Sequence, residues 1–129
     1  MALKPYTQSK VDALGDDVVT IFWDDLRQST SDTGTPIELA GFADRSVQML
    51  GALGTGGAIA FEGSNKKSPD PAVATDWHIL NDPQGNALTI NALKTEQILE
   101  FTRWVRPRVS AGDGGTILQI YLTAVRKKG

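Results

Sequence analysis

The stretch "GALGTGGAIAFEGS", residues 51–64, decides how this chain is read. Glycines at 51, 54, 56 and 57 stand beside Thr55, with apolar runs on either side. Such a segment is either a phosphate-cradling loop or a turn between strands. A phosphate loop needs a strand, then GxxxxGK[ST], then a helix whose N-terminus faces the anion. No Lys follows these glycines, and a second β-type run stands where the helix belongs. Upstream, "DRSVQMLGAL" (44–53) alternates, with Val47, Met49 and Leu53 on one face and Ser46 and Gln48 on the other. Downstream, "GAIAFEG" (57–63) sets Ile59 and Phe61 against Ala60 and Glu62. Two period-2 runs joined by a glycine-rich link predict a β-hairpin, with glycine supplying positive φ in the turn.

Working outward, the same grammar recurs. "DVVTIFWDD" (17–25) is β-branched and aromatic between aspartates, a strand signal. "RQSTSDTGTP" (27–36) is a polar loop, and "PIELA" (36–40) a short strand that Pro36 opens or puts at an edge. "SNKKSPDPAVAT" (64–75) is a loop with two X-Pro bonds. "DWHIL" (76–80) reads as a strand with Trp77 and Ile79 on one face and His78 on the other. "NDPQGN" (81–86) is a turn and "ALTI" (87–90) a short strand. "KTEQILEFT" (94–102) is a strand or an irregular crossing. "RWVRPRVSA" (103–111) is a strand that Pro107 places at an edge or a bulge. "GDGG" (112–115) is a second hairpin turn, leading into "TILQIYLTAV" (116–125). There Leu118, Ile120, Leu122 and Ala124 face one way, and Ile117, Gln119, Tyr121 and Thr123 the other.

About eight short strands with Gly/Pro turns predict an all-β domain, a β-sandwich or jelly roll, over residues 17–129. Residues 1–16, "MALKPYTQSKVDALGD", form an N-terminal arm. Lys4-Pro5 disfavours an early helix, Ser9 is placed to cap a short turn through Asp12, and Gly15 closes it. Leu3, Tyr6 and Val11 make the arm too apolar for a solvated tail, so it is expected to dock.

Composition narrows the function classes. The 129 residues fit one domain. A net charge of -2 argues against a general nucleic-acid binder. The absence of cysteine excludes disulfides, thiolate metal sites and cysteine nucleophiles. No signal-peptide h-region opens the chain, and no apolar run is long enough to span a bilayer. The single histidine, His78, cannot assemble a usual zinc site alone. Asp16-Asp17 and Asp24-Asp25 point to opposite faces of a strand and do not converge on one substrate. "SDTG" and "DGG" offer oxygens for calcium without EF-hand spacing, and no GxSxG elbow is present. The expectation is a binding protein without cofactor or catalytic residues.

Two features suggest where it binds. Trp104, Arg106 and Arg108 share one strand face, and Trp and Arg are enriched at interface hot spots. The bland alternative makes Trp104 core and pairs the arginines internally. The second feature is the arm, with Lys4, Pro5 and Tyr6, together with the basic tail "RKKG" (126–129); both suit an acidic partner surface. Frayed, solvated ends are the alternative there.

Three stretches, "DTGTPIELAGFADRSVQMLGALGTGGAIAFEGSN" (32–65), "DWHILNDPQGNALTI" (76–90) and "ILEFTRWVRPRVSAGDGG" (98–115), resemble the cementing, or decoration, proteins of tailed-bacteriophage heads. That resemblance implies a β-sandwich or jelly roll on the outer surface of the virion, made in the host cytoplasm. It also implies a partner, the major capsid protein, whose neighbouring subunits it bridges, and copies of itself. A homodimer across a two-fold axis is the expected oligomer, with a trimer as the other arrangement. No catalytic residues come with the family, and no membrane or nucleic-acid partner. A carbohydrate-binding β-sandwich and a low-copy tail or head-completion component are the competing readings.

Overall fold

The structure, a computed structural model, describes residues 2–10 and 18–126. Twelve strands pack as two sheets: β1 Leu3–Lys4, β2 Tyr6–Lys10, β3 Val18–Arg27, β4 Thr33–Gly34, β5 Ile37–Glu38, β6 Phe42–Ala52, β7 Ala58–Ser64, β8 His78–Ile79, β9 Thr89–Ile90, β10 Thr95–Gln97, β11 Trp104–Ala111 and β12 Ile117–Arg126. The count exceeds the expected eight because short polar stretches add two- and three-residue pairings around five long strands. The seven-stranded sheet runs β1-β4-β11-β7-β8, with β5 also on β11 and β9 also on β7. The five-stranded sheet runs β10-β6-β12-β3-β2. The β-sandwich read from the sequence is the observed architecture.

The inward residues follow period 2, because successive side chains on a strand point to opposite faces. Val19, Ile21 and Trp23 of β3, Val47 and Met49 of β6, and Leu118, Ile120, Leu122 and Ala124 of β12 are buried in one core. Ile59 and Phe61 of β7 and Val105 and Val109 of β11 meet them from the other sheet. In β3 the phase slips by one: Trp23 pairs with Ile120 and Leu26 with Leu118, so Asp24 and Asp25 oppose Gln119 alone. This bulge puts Asp25 at φ 58 and returns Leu26 to the core.

Three expectations are corrected. Both predicted hairpins are crossings between sheets. β6 pairs with β12 and β10, while β7 pairs with β11, β8 and β9, so 53–57 arches from one sheet to the other. Residues 112–116 do the same between β11 and β12. Alternation and glycine mark where a chain turns; they do not say whether the next strand bonds to the last or faces it across the core. The arches lie side by side: Thr55 N–H donates to Asp113 Oδ2 at 3.1 Å, and Thr116 Oγ1 donates to the Leu53 carbonyl at 2.8 Å.

Pro107 lies at neither an edge nor a bulge. It sits inside β11, opposite Phe61, in unbroken register from Trp104 to Val109. Val109 N–H bonds to the Asp32 carbonyl, so the nitrogen of Pro107, two residues earlier, turns to the same side. There the ladder lapses between β5 and β4, and no donor is needed. Gly34 fits against the proline ring: a Cβ there would lie 2.7 Å from Pro107 Cδ and 2.6 Å from Trp23 Cδ1.

Trp77 and Ile79 do not share a buried face. Trp77 is buried, and Ile79 is exposed beside exposed His78. β8 is only two residues long and begins after Trp77, so strand alternation does not govern it.

Ser9 lies within β2, paired with Thr20 of β3, while residues 11–15, which hold the turn expected after it, and Asp16-Asp17 fall outside the described residues. The stretch 2–10 docks on its own domain. β1 runs parallel to β4 in one sheet, Pro5 breaks the pairing, and β2 runs antiparallel to β3 in the other.

Candidate functional site

The strand "WVRPRV" carries the first group of candidate contacts. Trp104, Arg106 and Arg108 occupy alternate positions of β11 on the outer face of the seven-stranded sheet, while Val105 and Val109 point into the core. Opposite them on β7 is Glu62, in register with Arg106. Arg106 Nε donates to Glu62 Oε1 at 2.9 Å, and Arg108 Nε to Glu62 Oε2 at 3.1 Å. Arg106 Nη1 donates to the Pro71 carbonyl at 2.8 Å, and its guanidinium lies 4.2 Å from the Trp77 ring centroid. Trp77 is itself held by its indole N–H on the Asp70 carbonyl. The 65–77 segment therefore closes over this part of the sheet.

Burial divides the three residues. Arg106 is 3% exposed and Glu62 6%. Desolvation pushes the Arg106 pKa down, and the Glu62 carboxylate opposes that shift. Arg108 and Trp104 are half-buried and reach the surface. The indole nitrogen of Trp104 is buried without a hydrogen-bond partner. The structure thus presents Trp104 and Arg108 outward and holds Arg106 beneath the 65–77 segment.

Lys4, Pro5 and Tyr6 form a second, separate group, where the chain passes from one sheet to the other. Lys4 Nζ lies 3.2 Å from Asp25 Oδ2 and 3.6 Å from Oδ2 of the fully buried Asp32. Arg27 Nε bonds to Asp25 Oδ1 at 2.7 Å. Those two cations, Arg27 first and then Lys4, hold the Asp25 carboxyl below its ordinary value. Pro5 is exposed, and Tyr6 packs edge-on to Trp23 with ring centroids 6.1 Å apart.

Of the remaining chemistry-bearing residues, several carboxylates hold loops and turns. His78 is exposed and lines an open concavity of about 520 Å³ with Ser64, Lys66, Asp76, Glu100 and Thr102 among others. Asp76 there binds Asp70 N–H and Lys66 Nζ, which keep its carboxyl low. Asp32 of "SDTG" accepts from Arg27 N–H and the Thr30 hydroxyl. Asp113 of "DGG" accepts from Gly115 and Thr55 N–H, which lower its pKa in that order. Among the described residues, no group of three or more His, Cys, Asp or Glu is arranged to hold a metal ion. No helix of the described residues is long and apolar enough to cross a membrane.

In comparison with known proteins, no family model and no curated protein sequence matches the chain.

Sequence reasoning did not pair Glu62 with the arginines. The signal was a single carboxylate in the otherwise apolar run "AIAFEG", facing an Arg-x-Arg strand. Register, which joins residues 44 and 46 positions apart, was the missing quantity. Trp77 and Pro71 were likewise invisible as parts of this cluster, because they reach it from a loop.

Proposed function

We propose that this chain is a structural protein of a tailed-phage virion that binds the outer surface of the head and cements neighbouring major capsid subunits. The observation that carries the reading is where the three family-like stretches fall. Residues 32–65, 76–90 and 98–115 contain β4, β5, β7, β8, β9 and β11, six of the seven strands of one sheet, and β6 of the other. The resemblance therefore covers nearly the whole of one layer, with its own outer face, and reaches the second layer through β6.

In this reading that layer is the docking platform. Its outer face carries the Arg106–Glu62–Arg108 cluster, and β1 and β2 bind one segment to both sheets. A rigid face loses little conformational freedom on docking. In this reading Trp104 and Arg108 meet the capsid surface, Arg106 supports them from below, and Lys4, Pro5 and Tyr6 make a second contact. No catalysis and no cofactor are involved, and the protein acts on the outer capsid surface after synthesis in the host cytoplasm.

Each contact is small, so affinity comes from engaging two or more capsid subunits at once. A homodimer on a two-fold axis, or a trimer, raises effective concentration without new chemistry. A protein that binds assembled shells and not free subunits stabilises the shell by mass action.

The test is the copy number of this chain relative to the major capsid protein in purified virions of the phage that encodes it, by quantitative mass spectrometry. A ratio near one, or a simple fraction of it, supports shell-wide decoration. A handful of copies moves the protein to the tail or a vertex, and absence from virions refutes the reading.

A further inference from the structure

Among the described residues two arginines are buried, and only one of them meets a carboxylate there. Arg106 faces Glu62, whereas Arg45 has no carboxylate partner among the described residues. Arg45 is 2% exposed. Its Nε donates to the Phe42 carbonyl at 2.9 Å and its Nη2 to the Leu39 carbonyl at 2.7 Å. Its guanidinium lies 4.5 Å from the Phe101 ring centroid. Its Nη1 is buried and has no hydrogen-bond partner. Burying a cation without a counterion is costly, and a buried donor without an acceptor adds to the cost. Desolvation accordingly pushes the Arg45 pKa down to about 10.

Arg45 lines a cleft of about 290 Å³ with Ala43, Asp44, Pro83, Ile98, Leu99 and Phe101. Leu99 is 57% exposed, more than any other large apolar residue of the described chain. Two carboxylates line the cleft and neither pairs with Arg45: Asp44 is exposed, and the two oxygens of Glu100 accept from Asn81 N–H and Asn81 Nδ2, both at 2.7 Å. Burial raises the Glu100 pKa, and those hydrogen bonds outweigh burial and hold it ionised below its ordinary value. The cleft abuts β10, which is the outermost strand of its sheet and pairs only with β6.

We propose that this cleft is a socket for an extended segment of a partner protein, in which a carboxylate side chain meets Arg45 Nη1 and a neighbouring apolar side chain covers Leu99 and Pro83. Charge complementarity selects the occupant. The site offers one desolvated cation with a free donor beside apolar surface, and a carboxylate flanked by an aliphatic residue satisfies both. An open sheet edge favours an extended partner over a helix. The inference stands on Arg45 and does not depend on the capsid reading.

The test is NMR titration of the labelled full chain, following the Arg45 Nε–Hε and Leu99 methyl signals. The probes are the peptide acetyl-Thr-Leu-Glu-Leu-Thr-amide, its Glu→Gln counterpart, and sodium acetate. The expected result is saturable movement of both signals with the Glu peptide and at least tenfold weaker binding of the Gln peptide. Leu99→Glu, which adds a third carboxylate beside Asp44 and Glu100 and removes the apolar contact, should weaken the Glu peptide at least tenfold in a folded protein. Arg45→Gln should abolish the Leu99 movement, and Leu99→Glu keeps the test decisive if Arg45→Gln fails to fold. Acetate moving Arg45 as effectively as the peptide, with Leu99 still, would mean a free-anion site and overturn the proposal. Equal binding of the two peptides, or no movement with either, overturns it as well.

Discussion

Replacing Glu62 with Gln keeps the shape of the Arg106–Glu62–Arg108 cluster and removes its only negative charge. Arg106 then stays under the 65–77 segment, 3% exposed and uncompensated. Breaking a buried ion pair by removing one partner costs about 3–5 kcal/mol. The Arg108 contact adds at most about 1 kcal/mol, because that side chain is 38% exposed and water screens it. Unfolding entropy of about 2.1 cal/mol/K per residue gives about 0.27 kcal/mol/K for 129 residues. The loss therefore corresponds to a fall in Tm of roughly 10–20 °C, read by calorimetry. Arg106→Met should cost less, since Arg108 still neutralises Glu62. The double variant Glu62→Gln/Arg106→Met should recover part of the Glu62→Gln loss, because the orphaned cation is gone, with a coupling of about 1–3 kcal/mol. A Tm within about 3 °C of wild type for Glu62→Gln, or losses that simply add in the double variant, would refute the argument.

Three further outcomes are expected. Gly34→Ala should destabilise the protein by about 1–3 kcal/mol, seen as a lower urea midpoint, because its Cβ would press on Trp23 and Pro107 at 2.6–2.7 Å; an unchanged midpoint would count against the close packing. Asp113→Ala should lower Tm at pH 7 by loosening the two arches, and the difference from wild type should shrink in acid. Folding lowers the Asp113 pKa below 3.8, so its contribution is fully present above about pH 5 and is lost as pH falls through the folded value; a difference that grows in acid would contradict this. Deleting residues 2–10 removes β1, β2 and the edge-on contact of Tyr6 with Trp23, and should red-shift tryptophan emission and lower Tm; unchanged emission would mean that Trp23 stays covered without them.

Much of the fold was legible in local pattern. Leu118, Ile120, Leu122 and Ala124 alternate in sequence and are all fully buried in the structure. "NDPQGN" reads as a turn and is one: Asp82 Oδ1 accepts from Gln84 and Asn86 N–H, and Gly85 takes φ 86. The β3 phase slip was not legible, because it depends on a bulge at Asp24-Asp25 that only the pairing with β12 imposes. The candidate contacts were half legible. Trp104, Arg106 and Arg108 do share a face of β11, but their exposure depends on Glu62 opposite and on the 65–77 loop above.

The division has a physical cause. A strand's inward and outward faces are set by its own backbone, so residue spacing suffices to assign Val47 and Met49, or Ile59 and Phe61, to a core. Hydrogen-bonded partners are chosen by the whole set of faces that must be buried together. The links at 53–57 and 112–116 could close hairpins locally, and they become crossings because β6 and β12 complete one sheet while β7 and β11 complete the other. The same long-range register gave Arg106 its counterion and left Arg45 without one among the described residues. The sequence by itself determined an all-β chain with these apolar faces; only the tertiary structure decided which strands are neighbours, and with that which charges are paired.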